Sequence, residues 1–219
     1  MFRLLGAICV MLSATIFLCC GSSAEGAAAE RARLPEPAPG VKVATFAEGC
    51  FWHSEIIFQS LEGVNEVISG YCGGKDPDPF YDNVKTGNTG HAESVQVYYD
   101  STKISYETLV KAFFASHDPT SLNRQGQDEG TEYRSMAFYR NEAEKKILES
   151  EVEKLNASHK YSKPIVTEIN PFLQFFPAEQ WHQEYVKNHA DNDYVKYVTL
   201  PEYYTFKTSF PGKFKPETI

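Results

Sequence analysis

The chain has 219 residues, 42% of them hydrophobic and 14% aromatic, which excludes a disordered polypeptide and allows one domain with a substantial core. A formal net charge of −8, with no run of Lys or Arg, excludes a protein that binds nucleic acid through phosphate contacts. No repeat of 20 to 50 residues is present, which excludes a solenoid.

Met1-Phe2-Arg3 gives a singly positive start, residues 4–20 form an apolar run, and Ser22-Ser23-Ala24 supplies small residues after it. This is the layout of a secretory signal, so residues 1–24 are expected to be a signal peptide and the protein to be exported, to the periplasm or another extracytoplasmic space. Two alternatives stay open. One is an uncleaved anchor, for which the run is near the lower length limit. The other is a membrane-tethered lipoprotein, with Cys20 or Cys19 lipidated after cleavage. Residues 25–40, EGAAAERARLPEPAPG, are rich in Ala, Pro and Glu and read as a linker. The folded domain is expected over 41–219.

Within that domain, residues 41–46 alternate as a strand, and 51–61 carry apolar residues at helical spacing up to a stop at Gly63. A second strand is predicted at 64–71, ended by Gly73-Gly74, and a Gly/Asn/Pro-rich loop runs to Gly90. Residues 92–99 alternate again, and 105–116 form an amphipathic helix with Ser105 as N-cap candidate. A fourth strand is predicted at 133–139. The order β-α-β-β-α-β is that of a two-layer, ferredoxin-like split-βαβ sandwich, an α/β (α+β) fold. Beyond it, Asn141 with Glu144 resembles a capping box and starts a charged helix to about Leu155. Residues 164–170 are expected to add a strand, a short helix is expected from near Ala178, and 197–219 read as an irregular tail on the surface.

Of the five cysteines, three fall in the expected signal, leaving Cys50 and Cys72 in the domain. Two cysteines do not make a disulfide scaffold for a body this size, so they are packing, one bridge, or chemistry. Cys50 follows Ala47-Glu48-Gly49 at the start of a predicted helix. There, unpaired N–H groups and the positive end of the helix dipole favour a thiolate, so a lowered thiol pKa is expected. The six histidines, at 53, 91, 117, 159, 182 and 189, show no His-x-x-x-His pair, and no Cys-x-x-Cys is present, so no metal is expected.

Six blocks occur in order: GCFWHSE, GYCGG, GHAESVQVYYD, FFASHDPT, NRQGQDEGTEYRS and FPAEQWHQEY. Together they resemble the A-type peptide methionine sulfoxide reductases, which act on the S epimer, over about residues 41–210. The resemblance implies that Cys50 is the nucleophile, attacking the sulfoxide sulfur and becoming a sulfenic acid. Phe51 and Trp52 would form the apolar pocket for the substrate's S-methyl group. Glu93 would protonate the sulfoxide oxygen on its way to water, which requires a pKa raised by an apolar site. Tyr81 and Tyr133 would hydrogen-bond that oxygen. Asp128 would line the pocket wall and orient a tyrosine or the substrate amide, and His182, with Gln183 or Glu184, would have a structural or pocket-edge role.

Oxidised methionine in proteins, and free methionine sulfoxide, are the implied substrates, for a monomer needing no metal or organic cofactor. An external thiol reductant, thioredoxin-like or another dithiol, restores the enzyme. No cysteine follows Cys72, so either that reductant acts on Cys50 directly or Cys72 resolves the sulfenic acid through a disulfide. His53 stands where many relatives carry Gly and is expected at the surface. Two rival readings remain: a Cys-His hydrolase or acyltransferase with His53 or His182 as base, and an exported binding domain with a structural Cys50–Cys72 disulfide.

Overall fold

The computed structural model describes residues 30–216. The expected signal over 1–24, with Cys19 and Cys20, and the first residues of the expected linker lie outside the described residues. In chain order the elements are β1 (Val41–Ala47), α1 (Phe51–Gln59), β2 (Val64–Cys72), α2 (Tyr81–Val84), β3 (Ala92–Asp100) and α3 (Tyr106–Ser116). They continue with the two-residue strands β4 (Arg124–Gln125) and β5 (Asp128–Glu129), then β6 (Met136–Tyr139), α4 (Glu142–Ala157), β7 (Glu168–Pro171), β8 (Phe175–Pro177), α5 (Tyr185–Asn188) and α6 (Leu200–Ser209).

The main sheet has the order β7-β6-β1-β3-β2-β8. Its four central strands, β6-β1-β3-β2, are antiparallel neighbours, with β1 paired to both β3 and β6 and β3 to β2. That is the ferredoxin-like arrangement expected from the element order. β7 adds in parallel beside β6, and β8 adds antiparallel beside β2. One face of the sheet packs on the helices: Phe46 of β1 stacks on Phe58 of α1 at 5.2 Å and on Phe113 of α3 at 5.1 Å. The opposite face carries a second apolar cluster that includes Cys72, Met136, Phe138 and Phe175. Because strand side chains alternate, neighbouring Tyr71 and Cys72 belong to different faces, and only Tyr71 joins the helix side.

Helix starts follow local chemistry. Thr108 N–H donates to Ser105 Oγ at 3.1 Å, and Glu144 N–H donates to Asn141 Oδ1 at 3.0 Å. Glu144 reaches back one residue further than a regular capping box, accepting from Arg140 N–H at 2.7 Å, and α4 runs two residues past Leu155.

Five expectations need correction. Tyr133 lies in a 3₁₀ turn, Thr131–Tyr133, and the strand begins only at Met136. The segment from Ala178 is not one helix: a 3₁₀ turn, Gln180–His182, is separated from α5 by Glu184, whose φ of +50° breaks the path. The tail is not irregular, since a π-helical turn, Val195–Thr199, leads into α6, which buries Tyr203 and Phe206. His53 is not at the surface. It is 4% exposed, because α1 is covered on nearly all sides, and its Nε2 lies 3.2 Å from the Ser116 carbonyl oxygen. Finally, the expected linker is partly docked. Ala32 is buried, its N–H donates to Ala178 O at 2.9 Å, and Arg31 pairs with Asp78 at 2.6 Å.

Candidate active site

Gly49 joins β1 to α1 with φ +107°, and a Cβ there would come within 2.8 Å of the Gln125 side chain. Glycine is therefore required for the turn that presents Cys50. Cys50 is the N-cap of α1 and is half-buried. Glu93 projects from β3, is 2% exposed, and its Oε2 accepts the Phe51 N–H at 3.0 Å. A buried carboxyl thus takes one of the helix's unpaired donors directly beside the thiol. Burial holds the Glu93 carboxyl up at about 8. Asp128 and Glu132 add to that shift, while the Phe51 N–H opposes it.

The thiol departs from expectation. Burial pushes the Cys50 pKa well above its ordinary value, with the charges of Glu93 and Asp128 adding to it. The Trp52 N–H and the Tyr194 hydroxyl pull the other way and are outweighed. Placement at a helix start does not make a thiolate when burial strips the thiol of solvent and carboxyls stand near it.

Tyr81 opens α2, where its N–H donates to Glu179 Oε1 at 2.9 Å, and its ring lies 4.6 Å from that of His182. Its hydroxyl is pushed up to about 12 by burial, then by Glu93 and Cys50. The Tyr133 hydroxyl is also raised, by burial first and then by Glu93, Cys50 and Asp128. The charges of both the thiol and the carboxyl thus raise each tyrosine. Asp128 accepts a hydrogen bond from Tyr194 Oη at 2.5 Å, and burial raises its pKa.

The walls are aromatic. Phe51 is buried against Tyr71 at 5.9 Å and His182 at 4.8 Å. Trp52 stacks nearly parallel on Tyr185 at 3.7 Å, and its Nε1–H donates to His182 Nδ1 at 3.2 Å. Burial lowers the His182 pKa to about 3, so the ring is neutral with its free lone pair committed to Trp52. The other rival base, His53, is engaged at Nε2 with the Ser116 carbonyl, and its Nδ1 faces Glu202 Oε2 at 3.5 Å. Burial also lowers the His53 pKa to about 4, so both rings are weak bases, and neither hydrogen-bonds Cys50. Cys50 and Cys72 are both free. Cys72 is on the far face of the sheet, donates to Gln174 O at 3.1 Å and has a pKa pushed up to about 12 by burial. Among the described residues no group of three or more His, Cys, Asp or Glu could hold a metal ion.

Tyr194 was not found from sequence. It is one of 13 tyrosines and carries no local signal, yet its hydroxyl donates to Asp128. Glu179 was also missed, although it lies inside the quoted block FPAEQWHQEY. It joins Tyr71 Oη, at 2.9 Å, to the Tyr81 backbone.

A half-buried cysteine, a buried carboxyl that keeps its proton at neutral pH and two tyrosines, on a ferredoxin-like sheet, define a thiol enzyme equipped to protonate an oxygen. The family profile of peptide methionine sulfoxide reductases matches residues 42–213. Peptide methionine sulfoxide reductase MsrA 1 of Rhodopirellula baltica is 46% identical over 177 residues, covering 81% of this chain and 91% of that protein. The reduced form of Mxr1 from Saccharomyces cerevisiae is similar with a TM-score of 0.67 and 33% identity, covering 72% of this chain and 91% of that one. The same yeast protein in complex with Trx2 gives a TM-score of 0.50 and 26% identity, covering 70% and 91%. The chain belongs to the peptide methionine sulfoxide reductase family and is an oxidoreductase.

Proposed function

We propose that this chain reduces methionine-S-sulfoxide, in oxidised proteins and as the free amino acid, with Cys50 as nucleophile and Glu93 as proton donor. The observation that carries the reading is the Glu93 carboxyl, buried against the Phe51 N–H beside the thiol and protonated up to a pH of about 8. The substrate's methyl group would lie against Phe51 and Trp52. Its S–O dipole would point at Glu93, Tyr81 and Tyr133. Cys50 Sγ attacks the sulfoxide sulfur while Glu93 gives its proton to the oxygen. The oxygen passes to Cys50 as a sulfenic acid, and methionine leaves as the thioether. The thiol's own proton replaces the one Glu93 gave, so Cys–SH and sulfoxide become Cys–SOH and thioether with no other reactant. The tyrosine hydroxyls, raised in pKa and so protonated, stabilise charge growing on the oxygen.

A dithiol then reduces the sulfenic acid and releases water. The solved complex of yeast Mxr1 with Trx2 supports a thioredoxin-like donor here. With Cys72 buried on the other face, reduction acts directly on Cys50. The working protein is a monomer, and the apolar run at 4–20 supports export of the mature chain. The test is a single turnover by pre-reduced protein with no reductant present. It should yield one equivalent of methionine from the S sulfoxide, one sulfenic acid at Cys50, and nothing from Cys50→Ser. Ester hydrolysis dependent on Cys50, without methionine formation, would sink the reading in favour of a hydrolase.

A further inference from the structure

Two large aromatic side chains stand open to solvent beside the catalytic tyrosine. Phe80, the residue before Tyr81, is 44% exposed, and Trp181 is 46% exposed. Trp181 meets the Tyr81 ring edge-on at 5.5 Å and packs on His182, the histidine that receives the Trp52 indole N–H. The aromatic wall therefore continues outward, through Tyr81, onto the exposed Trp181, and Phe80 is exposed one position before Tyr81 in the chain. The charges next to it are already matched: Arg31 pairs with Asp78 at 2.6 Å and Lys85 with Asp82 at 2.7 Å. What the rim offers a substrate is aromatic surface rather than net charge.

We propose that Phe80 and Trp181 form a subsite for the residue adjacent to the oxidised methionine in a polypeptide, selecting bulky, uncharged neighbours such as Phe or Leu. The inference rests on the reductase reading above and deepens it. The sulfoxide side chain fills the pocket, so the backbone that carries it lies at the mouth, where Tyr81 and its two exposed neighbours stand. An aromatic contact of this kind contributes about 3- to 10-fold in affinity. Free methionine sulfoxide has no neighbouring residue and gains nothing from it.

The experiment is single-turnover kinetics of pre-reduced protein, with no reductant, on three S-sulfoxide substrates. These are the free amino acid, a pentapeptide with glycine around the sulfoxide, and one with Phe before and Leu after it. For the native protein, the rate constant at low substrate should favour the Phe/Leu peptide over the glycine peptide. In Phe80→Ser that ratio should fall about 3- to 10-fold, with the change in apparent substrate affinity rather than in the maximal rate. Trp181→Ala should act in the same direction. Because Trp181 also packs on His182, Phe80→Ser is the deciding variant. An unchanged ratio in Phe80→Ser would overturn the proposal. In a parallel steady-state assay with thioredoxin, a Phe80→Ser defect confined to that turnover would assign the rim to the reductant and overturn the proposal too. Native protein inactive on all three substrates would remove the reductase reading, and the subsite with it.

Discussion

Replacing Glu93 by Gln keeps the shape of the side chain and removes its transferable proton. With the carboxyl held at about 8, roughly 90% of molecules carry that proton at pH 7, against well under 1% for a solvated glutamate at its ordinary 4.5. Burial therefore multiplies the acid-competent fraction by roughly 300. Loss of a positioned general acid costs about 10²- to 10⁴-fold, and Glu93→Gln should slow single-turnover methionine formation by that amount. The native rate should fall as pH rises through about 8, and that limb should vanish in the variant. The Cys50 thiol should also titrate lower, followed by the pH dependence of iodoacetamide alkylation, because Glu93 supplies the largest charge that raises it. Stability shares the same origin. Between pH 4.5 and about 8 the folded state holds a proton that the unfolded chain has released, so the contribution of Glu93 to native stability is full below 4.5 and is lost as pH rises to about 8. The decline is on the order of 4–5 kcal/mol by pH 8, and Glu93→Gln should flatten it in urea titrations. A variant that keeps a rate within about threefold of native, or keeps the basic limb, would refute a catalytic acid at this position.

Tyr194→Phe should move the Asp128 carboxyl titration upward, read by NMR, because the lost hydroxyl donates to Asp128 and lowers its pKa. After one turnover, non-reducing peptide mass spectrometry should find a sulfenic acid at Cys50 and no Cys50–Cys72 link. Cys72→Ser should turn over with the same reductant at an unchanged rate, and a captured disulfide would contradict the separation of the two thiols across the sheet. His53→Gly should destabilise the protein by about 2–4 kcal/mol in urea unfolding, from the helix penalty of glycine and the space left by a buried imidazole. A loss below about 1 kcal/mol would mean that the site refills or that the ring is not held as described.

The repeating half of the fold was legible because its strands and helices carry period-two and helical patterns that local geometry enforces. The end of the chain was not. Helix α6 includes Pro201, Tyr203, Tyr204, Thr205 and Phe206, poor helix formers that hide its pattern, and only Tyr203 and Phe206, one turn apart, turn inward. His53 was misjudged for a related reason. A helix buried on most of its surface has no polar stripe to read, so a polar residue in its first turn looks exposed when it is not. Within the candidate site, Cys50, Phe51, Trp52, Glu93, Tyr81, Tyr133 and Asp128 came from blocks that resemble a family, and the structure sets Glu93 on the Phe51 N–H, next to Cys50 in the chain. Tyr194 came from no block. Its position depends on the segment after α5, whose path is set by tertiary packing. The thiol's pKa was read in the wrong direction because a helix start is visible in sequence, whereas the burial of that start, and the carboxyls arriving from β3 and β5, are not.

The docking of Arg31 and Ala32 changes what counts as the whole catalyst. The family match begins at residue 42, yet Arg31 ties down the Asp78 loop that precedes Tyr81. The backbone around Ala32 is zipped to the stretch that carries Glu179, which in turn holds the Tyr81 amide. A protein trimmed to the shared boundary keeps every candidate catalytic side chain and loses the brace behind one of them. Kinetics measured on such a truncation would describe a looser pocket, and a difference from its relatives would then be charged to the chemistry when it belongs to the missing strap.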